Sequence, residues 1–322
     1  FLPVKGLKFS ALFSYSKWMQ KYGYAETKQH ASTLRDGRNG YANDGGAQSI
    51  DRLTELTGEY TKSFNRHNLT ALAGYRYQEK DYTNHYMENW DFPTDIFSWH
   101  NIGLGRAISS GEFVGLIRNY KTETNLVGFF GRLSYNYDQR YLLMASLRRE
   151  KASQLWGTRN PWGVFPAVSA GWRISREKFM QNQNVFDDLK LRVGYGVTGS
   201  QPSDLFRGVA LLGYSGFVLS DGKWVQTIIP TQNANPDLKW EEKRETNIGL
   251  DFSMLKGRLS GSIDLYNRQI HNLLYLFEVP SPPNLYNRTL ANVGTLENKG
   301  LEVLVNFTPV MRKNFQWNSM VN

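Results

Sequence analysis

The sequence of 322 residues has no cysteine, which excludes a disulfide framework, a thiolate nucleophile and a cysteine-based zinc site. It also has no run of about 18 consecutive apolar residues, the length that a transmembrane helix requires. Its most apolar windows, residues 126–130 and 141–147, have the length of a β-strand. The chain is therefore either soluble or crosses a membrane with strands, whose apolar residues alternate with polar ones.

Sequence motifs for catalysis are also missing. The chain contains neither the G-x-S-x-G nucleophile motif nor the G-x-x-x-x-G-K-[ST] phosphate loop. None of the five histidines has a second histidine four residues away, as zinc proteases do. We therefore expect no enzymatic activity, no catalytic residues and no bound metal or cofactor.

Three acidic residues in a predicted loop are the one alternative to that expectation. Glu88, Asp91 and Asp95 carry the carboxylate oxygens that calcium prefers. Their spacing does not match a known calcium loop, so we interpret them as solvated acids. A structural calcium ion in the loops is kept as an alternative.

The charge of the chain is unbalanced but not concentrated. The formal net charge is +9, and a basic surface can indicate a nucleic-acid partner. Lysine and arginine are nevertheless scattered, without the run of five or six that marks a nucleic-acid-binding tail. We expect no nucleic-acid partner.

What the sequence does contain is apolar alternation with a period of two. Along residues 189–197, leucine, valine or tyrosine occupies every second position, and lysine, arginine or glycine lies between them. Such alternation is typical of a strand with one apolar and one polar face. About eleven segments are predicted to be strands, namely 7–15, 50–63, 69–77, 127–137, 141–149, 164–174, 189–197, 246–252, 259–265, 301–307 and 315–321. A short helix is predicted near 177–180, inside a turn.

The connections between these strands alternate in length. Long ones are predicted at 19–47, 80–121, 199–239 and 271–296, and short ones at 65–67, 138–140, 256–257 and 312–313. Long loops without secondary structure are uncommon in compact soluble domains, whereas transmembrane barrels have short turns on one rim and long loops on the other. The pattern predicts an all-β fold, a partial antiparallel transmembrane β-barrel with long loops on one rim and short turns on the other.

Aromatic residues also gather near the short turns, where amphipathic rings suit a membrane interface. The strand ends of a β-sandwich would carry them as well, so the rings alone leave both folds open. The residues concerned are Tyr137, Tyr141, Trp172, Phe252, Phe307 and Trp317.

The alternation predicts which side chains face lipid and which face the lumen, because a charge in lipid is costly. The residues predicted to face the lumen are Arg132, Ser134, Lys190, Arg192, Asn247 and Asp264. Those predicted to face lipid are Val127, Phe129, Leu133, Leu191, Val193, Ile248, Leu250, Ile263, Val303 and Val305.

Tryptophans in the long loops are the candidate ligand contacts, since an exposed ring offers a flat apolar face. They are Trp90, Trp99, Trp156 and Trp224. The alternative is that these rings pack the loops against one another. The segment 235–241, Asn-Pro-Asp-Leu-Lys-Trp-Glu, is interpreted as a structural corner, because proline fixes φ and suits the entry to a strand.

Several motifs occur together and in order along the chain. They are Gly-Arg-Leu-Ser-Tyr-Asn-Tyr at 131–137, Trp-Gly-Val-Phe-Pro-Ala-Val-Ser-Ala-Gly-Trp-Arg at 162–173, Leu-Lys-Leu-Arg-Val-Gly-Tyr-Gly-Val-Thr-Gly at 189–199, the corner at 235–241, Asn-Ile-Gly-Leu-Asp-Phe at 247–252 and Glu-Asn-Lys-Gly-Leu-Glu at 297–302. With these motifs the chain resembles the SusC/RagA family of TonB-dependent outer-membrane transporters of Bacteroidota. The likeness is strongest from 128 to 307.

The resemblance implies a location in the cell outer membrane and a role in uptake without chemistry. It implies active import of a large nutrient, an oligosaccharide in preference to a peptide. The implied partners are a SusD-like surface lipoprotein, outer-membrane lipid and the TonB-ExbB-ExbD energising complex. Two alternatives stay open at this point: a passive outer-membrane porin and a soluble all-β carbohydrate-binding domain.

The resemblance also implies that residues 1–322 are an internal part of the barrel, about eleven strands where the family has about 22. The signal peptide, TonB box, N-terminal plug and final strands of the family have no counterpart in this sequence. We therefore expect an open sheet in which the strand at 7–15 does not pair with the strand at 315–321.

Overall fold

The alternating segments of the sequence form β-strands in the computed structural model, which describes residues 4–110 and 117–322. The strands are β1 (Leu7–Glu26), β2 (Tyr41–Phe64), β3 (His67–Trp90), β4 (Ile117–Tyr137), β5 (Tyr141–Ala152), β6 (Trp162–Arg173), β7 (Phe186–Ser200), β8 (Leu211–Ser220), β9 (Lys223–Gln232), β10 (Glu241–Met254), β11 (Leu259–His271), β12 (Leu274–Glu278), β13 (Arg288–Asn292), β14 (Thr295–Arg312) and β15 (Phe315–Val321).

Helical structure is short and confined to connections. The α-helices are α1 (Ala31–Arg35) and α2 (Arg106–Ser109), and single 3-10 turns occupy Ile102–Leu104, Ser153–Leu155, Ile174–Arg176 and Lys178–Met180. The helix predicted near 177–180 is thus present as a 3-10 turn. Within 4–110 and 117–322, no helix has the length and apolar character needed to cross a membrane.

Eleven strands form one antiparallel sheet in the order β1-β2-β3-β4-β5-β6-β7-β10-β11-β14-β15. Each of the eleven predicted segments corresponds to one of them, which confirms the all-β fold and the strand number. Strands β1 and β15 stand at opposite ends of this order, as expected of an open sheet. Strands β8 with β9, and β12 with β13, form separate two-stranded hairpins.

The predicted long loops were wrong in two respects. Strands β2 and β3 each run for 24 residues, although about 9–11 residues cross a bilayer. The connection 27–40 is therefore shorter than the predicted 19–47, and the connection after β3 begins at 91 and not at the predicted 80. Residues 111–116 of the predicted loop 80–121 lie outside the described residues. The predicted loop 199–239 contains the β8–β9 hairpin, in which a bulge interrupts the alternation of side chains. The predicted loop 271–296 contains the β12–β13 hairpin, whose strands have only five residues each.

The chain divides into two compact units. The first contains the described residues of 1–11, 55–76 and 126–322, and the second those of 12–54 and 77–125. The second unit therefore carries the loop-side ends of β1–β4.

The predicted structural corner at 235–241 is confirmed, and it forms a core within the first unit. Leu238 and Trp240 are almost completely buried. They pack with residues from β5, β6, β7 and the turn after β5, namely Ala152, Leu155, Phe165 and Val197. Trp240 Nε1 donates to the Pro161 carbonyl at 3.1 Å, and Asn235 donates to the Leu290 carbonyl at 2.9 Å. The corner, which lies in the connection between β9 and β10, thus contacts the connection after β5 through Pro161 and strand β13 through Leu290.

Candidate functional site

Strand register in the first unit sorts the predicted residues onto two faces. Residues directly opposite one another in neighbouring strands share a face. Arg192 lies opposite Gly249, and Gly249 lies opposite Asp264. Followed through β4–β7, β10, β11 and β14, the register places the six predicted lumen residues on one face, named here the polar face: Arg132, Ser134, Lys190, Arg192, Asn247 and Asp264.

The ten residues predicted to face lipid share the opposite face, named here the apolar face: Val127, Phe129, Leu133, Leu191, Val193, Ile248, Leu250, Ile263, Val303 and Val305. Arg132 and Val127 therefore lie on opposite faces of β4. That one face meets the lumen and the other meets lipid stays a prediction.

Among the residues described, several large side chains of the apolar face are exposed. Val168 and Leu265 are each more than half exposed. At the long-loop end of this face lies a cation–π pair, in which the Arg149 guanidinium is 4.6 Å from the Trp162 ring centroid. An exposed apolar band that ends in aromatic and charged groups is typical of the outer surface of a membrane barrel.

At the short-turn end, hydrogen bonds hold the aromatic rings in place. Glu177, in the turn after β6, accepts hydrogen bonds from the Tyr141 hydroxyl at 2.7 Å and from Trp172 Nε1 at 3.0 Å. Arg140 pairs with Glu177 at 3.1 Å and with Asp138 at 2.8 Å. The bonds from Tyr141 and then Trp172 contribute most to holding the pKa of Glu177 below its ordinary value, because they favour the carboxylate.

The polar face is organised around Arg192. Its Nε and Nη2 donate to the two carboxylate oxygens of Asp251, both at 2.8 Å. Nη2 also lies 3.1 Å from Asp264 Oδ1 on the next strand. One guanidinium thus neutralises two carboxylates and joins β7, β10 and β11.

Gly249 is the position that lets this bridge form. It lies between Arg192 and Asp264 in the register. A Cβ atom at Gly249 would fall against Asp264 Oδ1 and 2.7 Å from Arg192 Nη2. The side chain of Arg192 therefore crosses over bare backbone to reach β11.

Beside the bridge lies an open cavity of about 600 Å³. Hydroxyl, amide and cationic side chains predominate on the polar part of its wall: Asn68, Thr70, Ser134, Asn136, Ser169, Lys190, Arg192 and Asn247. Such groups bind ligands by hydrogen bonds and charge. They do not form a nucleophile–base pair, so the cavity is suited to binding and not to catalysis.

The four loop tryptophans occupy different environments. Trp90 is 5% exposed, stacks on Tyr41 and lies under the Arg38 guanidinium. Trp99 lies against the backbone of Gly23. For Trp90 and Trp99, these contacts favour the alternative that the rings pack the loops against the protein. Trp156 packs edge-on against Phe206, with 5.9 Å between the ring centroids, but it remains exposed. Trp224 on β9 is also exposed. Ligand contact by these rings stays a prediction.

The three acids considered for calcium already accept hydrogen bonds from the protein. Glu88 accepts from Tyr41 at 2.6 Å, Asp91 from the Asn39 amide at 2.8 Å, and Asp95 from the Lys28 amide at 3.3 Å. Among the residues described, no group of three or more His, Asp or Glu side chains is placed to hold a metal ion. A structural calcium in the loops stays the untested alternative.

Sequence reasoning missed a group of tyrosines around Glu88. Tyr41 and Tyr86 both donate to Glu88, although Tyr41 and Glu88 are 47 residues apart. These positions fell in segments interpreted as loops. The alternation of Tyr86, Glu88 and Trp90 was the available signal for a strand.

Comparison with known families gives a match along nearly the whole chain. The family described as "TonB dependent receptor-like, beta-barrel" matches residues 5–322.

Curated relatives match at moderate identity. TonB-dependent receptor P39 of Formosa agariphila is 34% identical over 265 residues, 82% of this chain and 24% of that protein. TonB-dependent receptor SusC of Bacteroides thetaiotaomicron is 38% identical over 208 residues, 63% of this chain and 20% of that protein. The chain spans between 20% and 31% of the length of the curated relatives it matches.

Solved structures agree on the fold. The RagAB peptide transporter superposes with a TM-score of 0.85 at 24% identity, over 99% of this chain and 34% of that chain. The ferric-catecholate import receptor Fiu of E. coli gives a TM-score of 0.54 at 12% identity, over 96% of this chain and 43% of that chain. At these identities the likeness establishes the architecture alone.

Proposed function

This chain belongs to the TonB-dependent receptor-like β-barrel family, in its SusC/RagA group, and we propose that it forms part of the barrel wall of an importer for large nutrients. Proteins of this family lie in the outer membrane and are not enzymes. The alternative of a soluble all-β domain is therefore wrong.

One observation carries the proposal: the two faces of a single sheet are built for different surroundings. The apolar face exposes large side chains such as Phe129 and Val168, which suits lipid. On the polar face Arg192 is paired with Asp251 and Asp264, which suits a water-filled or protein-filled lumen. The wall of a transmembrane barrel needs this arrangement, because its outer side chains meet lipid and its inner side chains meet the lumen.

Energy coupling is the second part of the proposal. The matched relatives are named TonB-dependent receptors. We infer that import through the whole protein is driven by the TonB-ExbB-ExbD complex, acting through an N-terminal plug and TonB box. Residues 1–322 would then supply the wall around that gate.

The proposed cargo is an oligosaccharide in preference to a peptide. Support comes from the cavity on the polar face, where hydroxyl and amide groups of Ser134, Asn136 and Asn247 suit a ligand rich in hydroxyls. The RagAB transporter, which shares the fold, is a peptide transporter, so peptide import is the rival that an experiment must separate.

A SusD-like lipoprotein is the proposed partner, and the β8–β9 hairpin is its proposed docking surface. One face of the hairpin carries six large apolar side chains that are each more than half exposed: Leu212, Tyr214, Phe217, Leu219, Trp224 and Ile228. An exposed apolar patch on a loop is typical of a protein interface. We expect Trp224→Asp to weaken capture of the lipoprotein, and Lys223→Ala, on the opposite face, to leave it unchanged.

Uptake in living cells tests the import function. Cells with and without the receptor gene are given fluorescent oligosaccharides and fluorescent peptides, each with and without an uncoupler of the proton-motive force. The proposal expects receptor-dependent entry of oligosaccharide that the uncoupler abolishes. Entry that survives the uncoupler would identify a passive porin, and receptor-dependent entry of peptide alone would overturn the proposed cargo.

A further inference from the structure

The loop-side ends of β1, β2 and β3 carry a cluster of tyrosines in the second unit. We name Tyr22, Tyr24, Tyr41, Tyr86 and Glu88 the tyrosine platform. The Tyr41 and Tyr86 hydroxyls lie 3.1 Å apart, and the Tyr22 and Tyr86 ring centroids are separated by 6.5 Å. The rings thus form one aromatic surface.

Glu88 is the fixed polar centre of the platform. Its Oε2 accepts hydrogen bonds from the Tyr41 hydroxyl at 2.6 Å and from the Tyr86 hydroxyl at 2.7 Å. Its Oε1 accepts none from the residues that the structure describes. Two donors therefore hold the carboxylate in one orientation and leave one oxygen for a ligand.

One cation and one further ring pack against the platform and stiffen it. The Arg118 guanidinium lies 4.7 Å from the centroid of the Tyr86 ring, and Tyr41 stacks on Trp90 with an interplanar angle of 23°. Asn43 donates to the Tyr41 hydroxyl at 3.2 Å. A platform held in this way loses little conformational entropy when a ligand binds.

Two rings of the platform remain open. Tyr22 lies across the bare backbone of Gly45, where a Cβ atom would come within 2.5 Å of the ring, and the residue is 39% exposed. Tyr24 is 48% exposed, and its hydroxyl donates to Glu26 at 3.2 Å. Tyr22 and Tyr24 are two residues apart on β1, so both rings lie on the same side of that strand.

We propose that the tyrosine platform is a saccharide-binding subsite, in which the rings of Tyr22 and Tyr24 stack on sugar rings and Glu88 Oε1 accepts their hydroxyl hydrogens. A sugar ring presents C–H groups on its face and O–H groups on its edge, and open phenol rings beside an oriented carboxylate match both. Extended peptides are usually bound by unpaired strand edges and side-chain pockets, whereas the platform offers exposed ring faces beside one oriented carboxylate.

This inference rests on the proposed import function and deepens it by locating the contacts for the cargo. It moves the expected ligand contacts away from the loop tryptophans Trp90 and Trp99, whose rings pack against the protein. The contacts lie instead on side chains of the sheet.

The test is binding of the purified whole receptor to an oligosaccharide array and to a peptide array. The variants are Tyr24→Ala and Glu88→Gln, and the matched control is Phe97→Ala, which removes a ring that is also 48% exposed in the same unit. Heat-modifiable gel mobility verifies that each variant is folded. We expect about a tenfold loss of affinity for each platform variant, the size of one stacking contact or charged hydrogen bond, and no change for the control.

Other results would contradict the inference. Saccharide binding that both platform variants retain would overturn the subsite and leave the import function intact. Binding to the peptide array only, or to neither array, would overturn the saccharide assignment. The import function would still be tested separately by the uptake of fluorescent oligosaccharides in energised cells. If the Phe97→Ala control lost as much saccharide affinity as the platform variants, the loss would reflect a general perturbation of the surface, and the platform would be rejected as a saccharide subsite.

Discussion

The two faces of β7, β10 and β11 are made from the same stretches of chain, yet they satisfy different conditions. On the apolar face, Ile248, Leu250 and Ile263 have no polar partner and need none if they meet lipid. On the polar face, Arg192 neutralises two carboxylates. We therefore expect the medium that each face meets, more than the strand itself, to decide which substitutions a position tolerates.

Introducing a charge on each face should give the largest contrast. Ile263 and Ser262 are neighbours in β11 on opposite faces. We expect Ile263→Arg to lower the free energy of unfolding in lipid by about 2–4 kcal/mol. Ser262→Arg should cost much less, because its neighbour across the strands is Asp251. Urea titration of the whole receptor in lipid vesicles measures both, and equal losses would contradict the assignment of faces.

Removing the central cation should destabilise the polar face more than removing a cation without an ion pair. Arg192→Met leaves Asp251 and Asp264 close together without a partner, and we expect a loss of about 1–3 kcal/mol. Lys190→Met, on the same face and strand, is the matched control, since Lys190 makes no ion pair with any residue described. Adding Asp264→Asn to Arg192→Met should restore part of the loss, and an absence of rescue would contradict the bridge.

Much of this comparison could be predicted from the sequence, because a period of two is visible without knowing which strands pair. The eleven strands and the membership of the two faces follow from it. The bridge could not be predicted, since Arg192 and Asp264 are 72 residues apart and meet only once the register is known. The need for glycine at 249 depends on the same register.

The tyrosine platform was missed for a different physical reason. The apolar pattern of β1–β3 fades where the strands extend beyond the expected membrane thickness, so those ends resembled loops. Tyr22 and Tyr24 fell inside the predicted loop 19–47. The β8–β9 hairpin was missed because its bulge between Tyr214 and Phe217 interrupts the alternation.

A methyl group on the polar face should matter only where the Arg192 bridge passes. Gly249→Ala places a Cβ atom against Asp264 and Arg192, and we expect a loss of about 1–2 kcal/mol from overpacking. Gly194→Ala is the control on the same face, where the nearest atom would be 3.9 Å away. Thermal unfolding of the two variants should separate them, and identical melting temperatures would contradict the close crossing.

The smallest expected effect concerns pH at the short-turn end, where both faces stop. Because the pKa of Glu177 is lowered in the folded protein, its contribution to stability is present above the ordinary carboxyl pKa and is lost as pH falls through the lowered value. Glu177→Gln should therefore reduce the acid sensitivity of unfolding. The measurement is the free energy of unfolding between pH 7 and pH 3 for the native protein and for Glu177→Gln. The same pH dependence in both proteins would contradict this expectation.

Whether one face of this sheet meets lipid and the other does not can be measured directly with single cysteines, because residues 1–322 contain none. In the whole receptor, any cysteine outside residues 1–322 is first replaced by serine. Single cysteines at positions 262 to 265 are then labelled with a fluorophore, and quenching by brominated lipids is recorded at each. We predict strong quenching at 263 and 265 and weak quenching at 262 and 264. Uniform quenching, or quenching in the opposite phase, would contradict it.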